Sequence, residues 1–227
     1  MGLLYEQSAN LVRQLYDSRI AGPPVLDAAA YFPDAARFAD AWQAIRDEAA
    51  DLALTVQAIP RFHEIMPEQS DISANDGRDW RMFILKAYGV ENRRHMEACP
   101  ILASIVADSP DVLSASLSFM APGKHVPAHR GPFRGVIRFY LGLSVPRLPD
   151  GRVAALLKID GEEYRVGDGE WLLWDDTYCH EVWNTGDSMR CVLLLDVWRR
   201  TMPLDMRLLS RAVIAAVAAG VRLRGTD

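Results

Sequence analysis

The segment Pro122-Gly123-Lys124-His125-Val126-Pro127-Ala128-His129-Arg130-Gly131-Pro132 is answered downstream by Trp174-Asp175-Asp176-Thr177-Tyr178-Cys179-His180-Glu181-Val182-Trp183-Asn184. Each stretch is rich in turn formers and delivers one histidine, His129 or His180, at the edge of a run with β character. Between and after them lie two apolar runs, Val136 to Leu141 and Met189 to Val197. Period-two alternation puts Val136, Arg138 and Tyr140 on one side of the first run and Ile137, Phe139 and Leu141 on the other. In the second run Arg190, Val192, Leu194 and Asp196 share one face, and Cys191, Leu193, Leu195 and Val197 the opposite one. The faces carrying arginine read as the wall of a site.

Working outward, the spacing predicts strands over 112–120, 135–145, 153–159, 163–166, 170–174, 180–183 and 189–197. Short strands punctuated by Gly, Pro, Asn and Asp from Trp80 onward favour a barrel or sandwich over alternating βα units. The first 60 residues are helical in pattern, amphipathic over 5–20 and again over 34–55, with Pro23 and Pro24 between. Asp34 is the expected N-cap of the second stretch, and Phe38, Trp42, Ile45 and Leu52 recur on one face that should pack on a sheet. A helix is expected over 205–223. The expected organisation is one domain: a helical region over 1–70, a β core over 71–200 and a C-terminal helix over 201–227.

Composition bounds the function. The 227 residues suffice for one substantial core. A net charge of -5 with no basic block argues against nucleic-acid binding. Cys99, Cys179 and Cys191 are odd in number and lack metal-ligand spacing, which points to a reducing compartment. The first residues show no secretory pattern, and the apolar run 212–221 is half the roughly 20 residues that a membrane span needs, so a cytoplasmic location is expected.

Arginine entering a barrel interior is costly unless it meets a carboxylate, and its planar fork suits a bidentate grip, so Arg190 calls for a dicarboxylate partner. Two imidazoles suit non-haem iron, whose common site adds one carboxylate and leaves positions open. A His-x-Asp start would need an acid at position 131, where the residue is Gly131.

The ordered set Pro122-Gly123, His129-x-Gly131-Pro132, Arg138, Leu141-Gly142-Leu143, Asp175-Asp176, His180-Glu181-Val182-Trp183, Arg190 and Asp196-Val197-Trp198 resembles the aspartyl/asparaginyl β-hydroxylase family. The resemblance covers roughly 80–200, with a weaker likeness at Ile45-Arg46-Asp47-Glu48. It implies a mainly β fold with flanking α: a double-stranded β-helix (jelly-roll, cupin-like) with N-terminal helices and a C-terminal helix. It further implies an iron(II)- and 2-oxoglutarate-dependent dioxygenase that hydroxylates an unactivated carbon and releases succinate and carbon dioxide. In that family water replaces the carboxylate ligand. Carried over, His129 and His180 would hold the iron and Asp176 would steady the iron-bound water. Arg190 and Ser118 would hold the distal carboxylate of 2-oxoglutarate. Arg138 would lie near its other end and the substrate. Tyr140 stands where members with peptidyl substrates carry histidine, and Val136 where they carry a second arginine.

The expected substrates are therefore aspartyl or asparaginyl groups, small amino acids or lipid-linked acyl chains, with dioxygen as co-reactant. A non-catalytic cupin-like module that binds or senses a small molecule is the alternative. A cupin-like enzyme using another metal would need ligands that the sequence does not offer. His125, His63 and His95 read as structural or exposed, Asp175 as structural, and the tryptophans as packing, with Trp80 placed to wall a cleft. The C-terminal helix should cover the barrel or join a homodimer interface. Its flanking Arg207, Arg211, Arg222 and Arg224 leave peripheral membrane contact as the sharper alternative.

Overall fold

A computed structural model describes residues 2–224, with the side chains of 2–6, 8, 9 and 224 outside the description. The Tyr5 end of the first amphipathic stretch and the guanidinium of Arg224 therefore lie outside the described residues. The alternation is realised as two antiparallel sheets. One has the order β2 (Val90–Glu91), β1 (Trp80–Ala87), β3 (Val112–Met120), β10 (Arg190–Trp198), β5 (Val136–Ser144), β8 (Trp171–Trp174). The other has the order β4 (His125–His129), β9 (His180–Asn184), β6 (Ala155–Ile159), β7 (Glu162–Tyr164). Side chains from both sheets meet in one cavity, and helices flank the sheets, giving a double-stranded β-helix with flanking α.

Three strands, β1, the two-residue β2 and β4, depart from the sequence reading. β1 escapes a period-two count because Arg81 is buried there, bonded to Asp79 and Gln57 and to the carbonyl of Ile59. β4 contains Pro127 and reads as a loop; it lies at a sheet edge, where a residue without an N–H is tolerated. Helices Arg93–Ala98 and Pro100–Ala107 link β2 to β3. The stretch expected as one helix over 34–55 is two, Ala35–Asp40 and Trp42–Ala53, broken at Ala41. Asp34 stands at the N-cap without a side-chain cap bond.

The apolar face of the larger sheet contributes Leu117, Phe119, Ile137, Phe139, Leu141, Leu193 and Leu195 to the main core, against Phe32, Phe38 and Ile45 from the N-terminal helices. Phe139 packs edge-on to Phe32 at 5.6 Å between ring centroids. Each such side chain contributes roughly 1.5–3 kcal/mol by leaving water. Because that face is committed to the core, alternate residues of the same strands turn the other way, and Ser118, Arg138, Tyr140, Arg190 and Leu194 among them line the cavity.

A second cluster joins the terminal helices, Gly2–Asp17 and Leu204–Arg224, to the barrel through Tyr16, Ile20, Phe133, Met202, Met206 and Ile214. Tyr16 and Ser210 share a hydrogen bond at 2.8 Å across it. Val136 belongs to this cluster and not to the cavity wall, so its side chain is separated from the Arg138 and Tyr140 with which it shares a strand face. No described helix is long and apolar enough to cross a membrane.

Candidate active site

β4 and β9 pair so that His129 and His180 are direct cross-strand partners, with ring centroids 4.0 Å apart. Each ring is oriented by its own turn. Nδ1 of His129 lies 2.7 Å from the carbonyl of Pro127, and Nδ1 of His180 lies 2.9 Å from that of Tyr178. A carbonyl only accepts, so both Nδ1 atoms carry the proton and both Nε2 atoms keep a lone pair. Burial holds both imidazoles below their ordinary pKa, and for His180 the neighbouring His129 adds to the effect. Two neutral, pre-oriented imidazoles in the ligating tautomer suit a metal ion. Among the described residues no third His, Cys, Asp or Glu joins them as a cluster.

Asp176 approaches from the turn between β8 and β9. Gly131 donates its N–H to the Asp176 carbonyl at 2.7 Å, and a Cβ on Gly131 would stand 2.3 Å from Asp176 Oδ1. The carboxylate thus fills the space beside the His129 loop that a side chain at 131 would take. Its Oδ2 lies 3.3 Å from Arg138, while its buried Oδ1 has no hydrogen-bond partner among the described residues. Burial raises the Asp176 carboxyl to about 6, against the opposing pull of Arg138.

Arg138 faces Asp196 directly across β5 and β10 and donates to it from Nε at 3.0 Å and Nη2 at 2.8 Å. Burial opposes the Arg138 charge, but Asp196 and Asp176 outweigh it and hold its pKa above the usual value. Its charge is met by the protein's own carboxylates. Arg190 is the contrast. It is 3% exposed, and its fork donates to the hydroxyls of Tyr140 and Ser118, each at 3.3 Å, with no carboxylate bonded to it among the described residues. Its Nε has no partner among the described residues. Ser118 also accepts from Trp80 Nε1 at 3.0 Å, and burial raises the Tyr140 hydroxyl. A buried guanidinium without a counter-ion is a site for an anion that the protein does not itself provide.

His129, His180, Arg138, Tyr140, Arg190, Ser118 and Trp80 therefore line one cavity, walled further by Met120, Val126, Leu157, Trp174, Val182 and Leu194. Asp176 adjoins it through Arg138. The remaining histidines stand apart: His125 bonds to Glu181 at 2.7 Å and stacks on Trp183, His63 meets Ser73, and His95 stacks on Phe83. Two features, Trp174 beside His180 and Asp196, were missed by sequence reasoning, and Asp175, read as structural, proves to be so. Trp174 packs edge-on to His180 at 4.5 Å, and its buried Nε1 has no described partner. Asp196 pairs with Arg138. Asp175 is a buried hub that accepts from Thr177 N and Oγ1 and forms ion pairs with Arg134 and Arg199. The Asp175-Asp176 doublet was the only trace of this division of labour in the sequence.

The double-stranded β-helix, with a paired-histidine cavity between its two sheets, defines a mainly β protein of the jelly-roll class. More narrowly, this chain belongs to the aspartyl/asparaginyl β-hydroxylase family, whose model matches residues 39–200. It is 38% identical over 179 residues to the ornithine lipid ester-linked acyl 2-hydroxylase of Rhizobium tropici, covering 79% of this chain and 62% of that protein. It is 29% identical over 175 residues to the human aspartyl/asparaginyl beta-hydroxylase, covering 71% of this chain and 22% of that one. The chain thus spans less than two thirds of either relative. A solved structure of a predicted oxalate decarboxylase from Thermotoga maritima overlaps 53% of this chain and 81% of its own at a TM-score of 0.35 and 14% identity, too distant to bear on the site.

Proposed function

We propose that this chain is an iron(II)- and 2-oxoglutarate-dependent hydroxylase acting on an aliphatic, lipid-linked acyl chain. The observation that carries the reading is Arg190, a buried guanidinium on the histidine pair's cavity that bonds to two hydroxyls and to no carboxylate among the described residues. A dicarboxylate satisfies it: Arg190 and Ser118 hold the carboxylate remote from the metal, and the Tyr140 hydroxyl completes the grip. His129 and His180 would hold the metal, and the Asp176 carboxylate would order water beside the histidine pair. When bound, iron and 2-oxoglutarate supply the oxidising power for hydroxylation. The chain's residues position the target carbon and keep water out, which the apolar walls Met120, Val126, Leu157, Val182 and Leu194 favour.

The same charge count speaks for the substrate class. With Arg138 committed to Asp196 and Asp176, and Arg190 to the cosubstrate, the described residues that line the cavity offer no further cation for an aspartyl carboxylate. The name of the Rhizobium relative supports an acyl substrate. The absence of a third protein ligand among the described residues supports the second reading, a small-molecule binding module without turnover.

Anaerobic titration with iron(II) and 2-oxoglutarate separates the two. A visible charge-transfer band that Arg190→Ala abolishes, followed by succinate release with acyl-ester substrates, is the expected result. A folded protein that gives no band and binds neither ligand sinks the hydroxylase reading.

A further inference from the structure

The N-terminal segment precedes the region matched to the family, yet it makes direct bonds to both turns that carry the histidines. Arg13, 9% exposed, donates from Nη1 to the carbonyls of Gly131 at 3.1 Å and Arg130 at 3.3 Å, and its Nη2 is held by Asn10. The chain beyond it clasps the other turn. Asp175 donates its N–H to the Pro24 carbonyl at 2.8 Å, and Tyr178 donates its hydroxyl to that of Gly22. Arg134 joins the two turns by bonding the Ile20 carbonyl, Asp17, Thr177 and Asp175.

The consequence is sharpest at Gly131. Its N–H is held by the Asp176 carbonyl, its carbonyl by Arg13, and its bare Cα lies against the Asp176 carboxylate. The peptide that follows His129 is therefore fixed from two sides, one of them by a helix more than a hundred residues away in the chain. A guanidinium donating to two successive carbonyls sets the plane of the intervening peptide in a way that one backbone bond does not.

We propose that Arg13 is a positioning residue of the histidine pair: by gripping the Arg130 and Gly131 carbonyls it seats the His129 turn against Asp176 and so sets the metal geometry. This inference rests on the metal-binding reading above. The N-terminal helix is then part of the active site's support and more than a cover for the barrel.

The test is equilibrium dialysis of wild type, Arg13→Ala and Arg13→Lys with iron(II) under argon, together with the visible spectrum of the cobalt(II)-loaded proteins. Circular dichroism checks that each variant is folded. Arg13→Ala is expected to weaken metal binding by about tenfold or more, the usual effect of losing an outer support of a ligand. Its cobalt spectrum should shift, and added guanidinium ion should recover part of the loss. A purely structural role would lower the unfolding temperature and leave the spectrum alone. If Arg13→Ala does not fold, Arg13→Lys decides, because it keeps the charge and the aliphatic stem but loses the fork. A folded variant with unchanged affinity and spectrum overturns the proposal. Wild type that binds neither metal overturns the hydroxylase reading itself.

Discussion

A methyl group on Gly131 would stand 2.3 Å from Oδ1 of Asp176, closer than any real contact allows, so the Asp176 carboxylate occupies the space of the missing residue-131 side chain. With glycine where a His-x-Asp sequence would put its acid, this chain keeps a carboxylate beside that position, supplied by a different turn.

The single change Gly131→Asp should therefore fail to restore a conventional ligand set. Overpacking against a buried carboxylate costs about 1–3 kcal/mol and brings two negative groups together. In Gly131→Asp/Asp176→Ala the clash is gone, and stability should recover. Urea unfolding of the two variants checks this, and equal midpoints would show that the turns move apart freely.

Arg190 should carry opposite effects on stability and binding. Replacing a buried charge that has no carboxylate partner among the described residues with a similarly long apolar side chain, Arg190→Met, should stabilise the ligand-free protein by about 1–3 kcal/mol. On the proposed function, 2-oxoglutarate is expected to raise the melting temperature of the wild type and to leave that of the variant unchanged. Thermal unfolding with and without the dicarboxylate reads both.

Asp175→Ala leaves Arg134 and Arg199 buried without their shared carboxylate. Removing one partner of a buried ion pair typically costs about 3–5 kcal/mol, and that loss is expected in the denaturant midpoint. A change below about 1 kcal/mol, the scale of an exposed ion pair, would mean that water reaches the two arginines.

The thiols should report burial. Burial pushes the Cys99 and Cys191 thiols up to about 12, with the charge of Glu48 adding to the shift at Cys99 and Arg190 opposing it at Cys191. Only Cys179, which is partly exposed, should then react with a thiol reagent in the native protein, and all three after unfolding. Because the unfolded thiols titrate near 9.0 and the folded ones near 12, the unfolded state releases its protons first. Stability must therefore fall as pH rises through that interval. A flat stability profile there, or fast labelling of Cys191, would contradict the burial.

The arrangement of Arg138, Tyr140 and Arg190 on one cavity was legible in the sequence because strand alternation is local: once Leu193 and Phe139 are committed to the core, Arg190 and Arg138 face the other way, whereas Ser118 was legible only through the family resemblance. The two histidines were legible from the motif around them. The alternation that placed Arg138 also placed Val136, wrongly, because period two gives the side of a sheet but not where along the strand the cavity ends. Strand β4 was hidden by Pro127, and β1 by Arg81, whose partners come from a distant loop.

What the sequence determined by itself, then, was the β architecture, the face on which the chemistry lies and the family that shares it. Only the tertiary structure decided which charges are spent and which remain available. It matched Arg138 to Asp196, gave Asp175 to Arg134 and Arg199, left Arg190 without a carboxylate, and brought Arg13 to the turn after His129. Pairings between residues so far apart along the chain leave no periodic trace, since they follow from how sheets and helices close on one another and not from any local preference of the backbone.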